Sequence, residues 1–480
     1  MKSVDKLLKK YKAFPEPVKA ALWFTICSIL QRGIQFIVVP IYTRVLTTTE
    51  YGYYSVFTSW TEIIMIFCTL NLFYNSYNVG LTRFDKDNDR FTSSLLGVCY
   101  ILTSLCFIIY LIFRERFNSF FGMTTALCIC MFIHLFIMSS YQFWAAKQRY
   151  EYKYKLVIFA TLCLAIGTPV LALISIVFMR NHCLAVVGSK VFVEVFLGIP
   201  ALIVIVKRGK TLFNQIYWKY GLKNNIPLVP YYLSQIILNH SDRLMINNFC
   251  GTAKAGIYSV AYSAAMLLTM INTAMNNSVI PWKFKKLKNR DITGIHEVTF
   301  SLMLLVMGMN AVLVALAPEA LAILASKEYY EAVWIIPPVA CSAFLLFVSQ
   351  QFINIEFYYE ENKFAAYSSI LVAVLNIVLN YICIPKFGYI IAGYTTLFSY
   401  LIFTLIHYIA MRYVCKKHMD GLTIWKIKDI VLITLFLLIF SAIMLLGYKE
   451  YLLRYATVII ILSIIIVKRN EIIKIIRFKR

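Results

Sequence analysis

Six ionisable side chains stand inside long apolar runs of this 480-residue sequence: Arg32, Glu62, Lys190, Glu194, Asp242 and Arg243. A charge in hydrocarbon is expensive, so a membrane-spanning chain keeps one only where it is paired or wetted, and such residues mark ligand and ion paths. An arginine facing a wet interior attracts an anionic ligand. A carboxylate that gains a proton on one side and loses it on the other couples transport to a gradient. The expected ligand-binding cations are therefore Arg32, Arg243, Lys190 and, at the outer mouth, Arg44; the expected ion-coupling groups are Asp242, Glu62 and Glu194.

Each has a plainer reading. Arg32 can snorkel along its stem to the headgroups. Lys190 and Glu194 are four apart on one helix face and can pair with each other. Asp242 and Arg243 are adjacent and point roughly 100° apart, so they do not satisfy one another; at least one faces the interior unless both meet the headgroups. His134 and His240 also fall within spans, where a lone histidine is ordinarily a hydrogen-bonded packing residue.

The elements that carry these residues are apolar runs of about 20 residues, each long enough to cross a bilayer. Fourteen are expected: 19–40, 53–77, 91–113, 121–144, 155–178, 183–206, 226–249, 255–281, 298–317, 332–354, 364–385, 388–411, 428–448 and 450–467. With 60% hydrophobic and 15% charged residues the chain reads as an all-α, polytopic membrane protein. The net charge of +24 would suggest nucleic acid in a soluble protein. Alternating the loops from a cytoplasmic amino terminus instead puts 35 of the 47 Lys and Arg inside and 9 outside, as the positive-inside rule requires. Both termini are then cytoplasmic and no nucleic-acid partner is implied. The inner segment from Glu356 to Lys363 is net acidic, against this trend. Prolines punctuate the spans, and Pro337-Pro338 is expected to bend the tenth.

Two segments, Gly52-Tyr53-Tyr54-Ser55-Val56 and Gly256-Ile257-Tyr258-Ser259-Val260, share Gly-x-Tyr-Ser-Val 204 residues apart, each opening the second span of its half. The expected organisation is a leader (1–18), a six-helix bundle (19–206), a cytoplasmic connector (207–225), a second six-helix bundle (226–411) related to the first by a pseudo-twofold axis, and two further helices with a basic tail (412–480). The twelve cysteines fall mostly in apolar runs with no disulfide or zinc spacing, and neither a phosphate loop nor a His-Glu-x-x-His helix is present. No metal, cofactor or enzyme activity is expected.

The motif Pro40, Thr43, Arg44, Leu46, Glu50, Tyr51 and Gly52 after a first helix with an internal arginine, Arg32, resembles the start of the polysaccharide and O-antigen flippases. A second match lies at Ser241-Asp242-Arg243-Leu244-Met245-Ile246 and Ala255-Gly256-Ile257-Tyr258-Ser259. The family belongs to the superfamily that also holds the multidrug and toxin exporters and the lipid II flippase. The resemblance implies a secondary transporter of the bacterial plasma membrane that moves an undecaprenyl-pyrophosphate-linked oligosaccharide to the outer leaflet for O-antigen or capsule synthesis. It also implies H+ or Na+ as coupling ion, membrane lipids, and the polymerase and chain-length proteins of the same pathway as partners. Three positive and three negative buried groups do not make the cationic cavity a pyrophosphate wants, so Arg44 and the inner-mouth residues Lys153, Lys155 and Lys283 are expected to add charge. The rivals are a multidrug cation/proton exporter of the same superfamily and a membrane-embedded polymerase or ligase, the latter disfavoured by short outer loops.

Overall fold

The computed structural model describes residues 15–467; the first fourteen residues of the expected leader and the basic tail after 467 lie outside the described residues. It forms two compact units, one of residues up to 42 and 53–233, the other of residues 43–52 and 234 onward. Among the described residues there are helices and no strands, the outcome apolar runs demand in lipid, where every backbone polar group must be satisfied within the segment.

The amino-terminal unit draws on α1 (Glu16–Val45), α2 (Thr48–Thr69), α3 (Asn75–Arg83), α4 (Asn88–Ile112), α5 (Arg114–Phe121), α6 (Thr125–Tyr150), α7 (Tyr154–Leu162), α8 (Thr168–Phe178), α9 (His182–Gly209), α10 (Gln215–Asn225) and the first turns of α11 (Val229–Cys250). The run expected to end at 77 stops eight residues early, because Leu70 and Asn71 adopt left-handed φ values of 48° and 51°; the chain restarts as α3. The run 155–178 is α7 and α8 joined through a π-helical turn at Cys163–Gly167, ahead of Pro169, which has no N–H to continue the ladder. The connector is not a plain loop: Asn214 caps α10 through Ile216 N–H (3.0 Å), and Trp218 Nε1 donates to Ser94 O (2.9 Å), seating α10 on α4. The core beneath it contains Tyr77, Phe91 and Phe143, with the first two rings stacked at 5.7 Å.

The carboxy-terminal unit adds α12 (Thr252–Lys288), α13 (Ile295–Ala315), α14 (Ala317–Leu324), α15 (Ile336–Tyr358), α16 (Lys363–Phe387), α17 (Ile391–His418), α18 (Ile427–Leu446) and α19 (Tyr451–Val467). Helix α15 is its axis, buried over most of its length; its own Phe344, Phe347 and Phe352 enter a core shared with Trp425, whose ring centroid is 5.5 Å from that of Phe352. Pro337 and Pro338 open this helix instead of bending it; in the first turn the missing N–H costs nothing, so they are not a hinge. Helix α19 is fastened by the buried Arg454, whose Nη1 donates to both carboxylate oxygens of Glu319 at 2.7 and 2.6 Å.

Eleven described helices are long and apolar enough to cross a membrane. The three other expected spans correspond to α2 and α11, which are long but carry more polar residues, and to α19, whose described apolar stretch is short. Fourteen therefore remains an expectation, and the multi-pass all-α architecture is what the structure shows.

Within the carboxy-terminal unit, Thr48 and Thr252 each open a helix, and Gly52 and Gly256 stand one turn on. A Cβ on Gly52 would lie 1.9 Å from Thr252 O, and one on Gly256 would lie 2.3 Å from Thr48 O. The contact is reciprocal between residues 204 apart, the self-complementary pattern of a local twofold axis.

Candidate functional site

Asp242, in the middle of α11, is 1% exposed and fully hydrogen-bonded. Its Oδ2 accepts from Tyr258 OH on α12 (2.6 Å) and from Thr396 Oγ1 on α17 (2.7 Å); its Oδ1 accepts from Asn380 Nδ2 on α16 (2.6 Å). Around this shell, Thr395 donates to Asn380 Oδ1, Ser241 donates to Asn376 Oδ1 (3.3 Å), and Asn376 Nδ2 donates to Thr396 Oγ1 (3.3 Å). A carboxylate survives here because four helices each bring a donor or a polar support to it. The cluster is rich in carboxylate, amide and hydroxyl oxygens, the donor type suited to a proton or a hard cation.

Arg243 points elsewhere, as adjacent residues on a helix must. Its guanidinium lies 4.5 Å from the Tyr262 ring centroid, and Nη1 donates to Asn239 O (3.1 Å). It lines a cavity of about 360 Å³ whose other polar walls are Gln235, Asn239, His240, Tyr262, Thr269, Ser342, Thr396 and Tyr400. Thr396 thus belongs to both places: it forms cavity wall and donates to Asp242. Among the described residues no acidic side chain lines this cavity.

In the amino-terminal unit the hydrogen bond of Glu194 goes to a partner other than Lys190. Glu194 turns to His134 on α6, with Oε2 and Nδ1 2.6 Å apart and both side chains buried. Lys190 lies 5.9 Å from the Phe57 ring centroid, within electrostatic reach of Glu194, Tyr54 and Glu62. A tertiary partner pointing straight at the carboxylate outcompetes a flexible neighbour one turn away. Glu62 is half-buried, and Arg32 is exposed on α1; neither is drawn into the pair.

Arg44 is exposed, and its Nη2 donates to Ala322 O (3.3 Å) and Ile323 O (3.0 Å) while Thr43 Oγ1 donates to Leu324 O (2.7 Å), so both help to satisfy the last carbonyls of α14. Thr47 and Glu50 then form a capping box for α2, with Thr47 N to Glu50 Oε2 at 2.9 Å and Glu50 N to Thr47 Oγ1 at 3.2 Å. Two other expectations are corrected. Lys283 is not at the inner mouth but fully buried, donating to Gln351 Oε1 (2.7 Å). Glu356 is not a loop residue: it lies in α15, 0% exposed, with Oε1 2.8 Å from His407 Nδ1, whose Nε2 is 2.8 Å from Ser368 Oγ. That removes one of the three acidic residues that set the inner loop against the charge rule.

Asn376, Asn380, Thr395 and Thr396 were not expected as site residues. Their trace in the sequence is an Asn-x-x-x-Asn step and a Thr-Thr pair inside apolar runs, polar groups that membrane helices use to bond across interfaces.

The family model described as polysaccharide biosynthesis protein matches residues 18–287. The chain belongs to that family. It is 25% identical over 165 residues to the Lsg locus putative protein 1 of Haemophilus influenzae, a match spanning 32% of this chain and 39% of that relative. Among solved structures, the lipid II flippase MurJ in an inward closed conformation superposes with TM-score 0.65 at 14% identity, over 94% of this chain and all of that one. An inward-facing multidrug resistance MATE family transporter of the MOP superfamily gives 0.64 at 12% identity, over 83% and 99%. The chain thus shares the fold of MurJ and of the MATE transporter, and it is a multi-pass membrane protein.

Proposed function

We propose that this protein flips an undecaprenyl-pyrophosphate-linked oligosaccharide from the inner to the outer leaflet of a bacterial plasma membrane by alternating access, both termini cytoplasmic, in the synthesis of O-antigen, capsule or a similar surface glycan. The observation that carries this is the pairing of a cavity walled by a guanidinium, amides and hydroxyls, with no acidic lining, with a buried carboxylate network one residue away. Arg243 attracts the anionic headgroup, the amides and hydroxyls take polar atoms beside it, and the polyprenyl tail stays in lipid. Asp242, with Asn380, Thr395 and Thr396, receives the coupling H+ or Na+. Glu62 and the Lys190, Glu194 and His134 cluster supply the buried charges of the amino-terminal unit, and the exposed Arg32 meets the substrate from α1. A multidrug cation exporter would want an acidic cavity, which the lining around Arg243 does not offer.

The test is surface-glycan assembly in a strain deleted for the gene and complemented with wild type, Arg32→Ala, Arg243→Ala or Asp242→Asn at matched membrane levels. Lipid-linked repeat units held on the cytoplasmic face in the deletion, and not exported by Arg243→Ala or Asp242→Asn, are expected. Normal glycan export in the deletion strain would overturn the reading.

A further inference from the structure

Where α6 ends and α2 breaks, the amino-terminal unit has a second cavity, of about 630 Å³, that the proposed transport site does not use. Its construction follows from local backbone. The left-handed Leu70 and Asn71 swing the chain out of α2 so that Phe73 enters the core, its ring centroid 5.9 Å from Phe143, while Tyr74 is left half-exposed above it. On the other side, Tyr152 N–H donates to Arg149 O (3.2 Å) and Lys153 N–H to Gln148 O (2.9 Å), which closes α6 with Tyr152 at φ 56°. A bulky residue in that region is strained and persists only where its surroundings hold it.

The result is a concavity with three aromatic rings, Tyr74, Tyr150 and Tyr152, 50%, 36% and 51% exposed, together with Asn78, Gln142 and Arg149. Glu151 pairs with Lys153 (2.5 Å) and Lys147 (3.9 Å), leaving Arg149 with no carboxylate within 4.0 Å among the described residues. Among the described residues no acidic side chain lines the pocket, so its lining does not suit a cation. Its volume is that of a small-ligand site, about 300–1,000 Å³. Interface-belt tyrosines anchor separately at the headgroups; these converge on one hollow beside two planar amides and a guanidinium. Flat rings offer faces to the C–H side of a pyranose, and amides and guanidinium take its vicinal hydroxyls or an adjoining anionic group in two-point hydrogen bonds.

We propose that this pocket binds a sugar ring bearing an anionic group, and that it receives the glycan end of the lipid-linked substrate on the cytoplasmic side before transport. The assignment rests on the flippase reading, and on the charge asymmetry that puts the end of α6 inside. The same chemistry is carried by soluble nucleotide sugars, so the test separates the two sources.

Inside-out membrane vesicles, washed free of soluble metabolites, are prepared from a glycan-producing strain and from one lacking the enzyme that loads the first sugar phosphate onto the lipid. Both carry the full-length protein with Asn78→Cys in the pocket or Phe213→Cys on the exposed connector, and maleimide labelling of each peptide is followed by mass spectrometry. The pocket thiol is expected to label at least threefold more slowly in glycan-producing vesicles, the connector thiol equally in both, and Arg149→Ala to abolish the difference while Tyr152→Phe retains it. Protection that appears only when UDP-glucose is added back would overturn the lipid-linked source. Equal labelling under every condition, in a strain whose glycan export still depends on the protein, would overturn the pocket and leave the transport reading intact.

Discussion

Replacing Gly52 by alanine adds one methyl group, and helix propensity alone makes that change stabilising by about 1 kcal/mol. The packing of the carboxy-terminal unit predicts the opposite sign. The new Cβ would sit 1.9 Å from Thr252 O and 2.8 Å from Thr252 C, against an ordinary carbon contact of roughly 3.5–4.0 Å. Because the obstacle is backbone, no rotamer relieves it, and the two helices must separate by more than an ångström. Overpacking of this kind costs about 1–3 kcal/mol, and the rigid obstacle puts Gly52→Ala toward the upper end. Gly256→Ala meets the same obstacle from the other side, 2.3 Å from Thr48 O and 2.9 Å from Gly52 N. One separation of the helices relieves both clashes, so the double variant should cost clearly less than the sum of the singles, with a coupling above about 0.5 kcal/mol. Thermal unfolding of detergent-solubilised fluorescent fusions, followed by size-exclusion chromatography, measures all three. A Gly52→Ala protein at least as stable as wild type, or strictly additive single effects, would refute the reasoning.

Asp242→Asn should reduce transport at least tenfold at normal protein levels, and Thr396→Val, which removes one of three donors, should reduce it less; glycan export in complemented cells ranks them. Arg454→Ala should loosen α19 and cost about 1.5–3 kcal/mol, the range for hydrogen bonds to charged groups, seen as earlier proteolysis near the carboxy terminus. Asp291, in the loop after α12, is held down to about 2 from 3.8 by the hydrogen bond from Lys286 and then by Thr293 N–H. Its stabilising contribution is complete above the unfolded value and disappears as pH falls from about 4 toward 2. Asp291→Asn should therefore flatten the stability profile across that window, and an unchanged acid limb would count against the hydrogen bond.

Asp242 and Arg243 could be picked out of the sequence because a charge in an apolar run is visible one residue at a time. The distant part of the network could not: Asn376, Asn380 and Thr396 are uncharged, ordinary in isolation, and between 134 and 154 positions from Asp242, whereas the Tyr258 donor lies 16 positions on. Glu356 was misplaced for a related reason. Its polarity ended the apolar run by hydropathy, whereas α15 continues past it because His407 supplies the partner from α17. Local rules give no hint of a tertiary partner such as His134 for Glu194, nor that Arg44 and Thr43 bond the carbonyls that end α14. Span positions were legible because about 20 apolar residues have few other uses, but the break at Leu70–Asn71 and the π turn at Cys163–Gly167 leave no mark in hydropathy.

Thr396 has a single hydroxyl hydrogen, and it can be given in only one direction at a time. Given to Asp242, it completes the carboxylate's three donors and presents only lone pairs to the cavity; given to a guest in the cavity, it leaves the carboxylate short by one. If, as proposed, a proton or cation satisfies Asp242 from its own side, that hydrogen is released, so that loading one compartment would alter the hospitality of the other, and by thermodynamic reciprocity the guest would alter the affinity for the ion by the same factor.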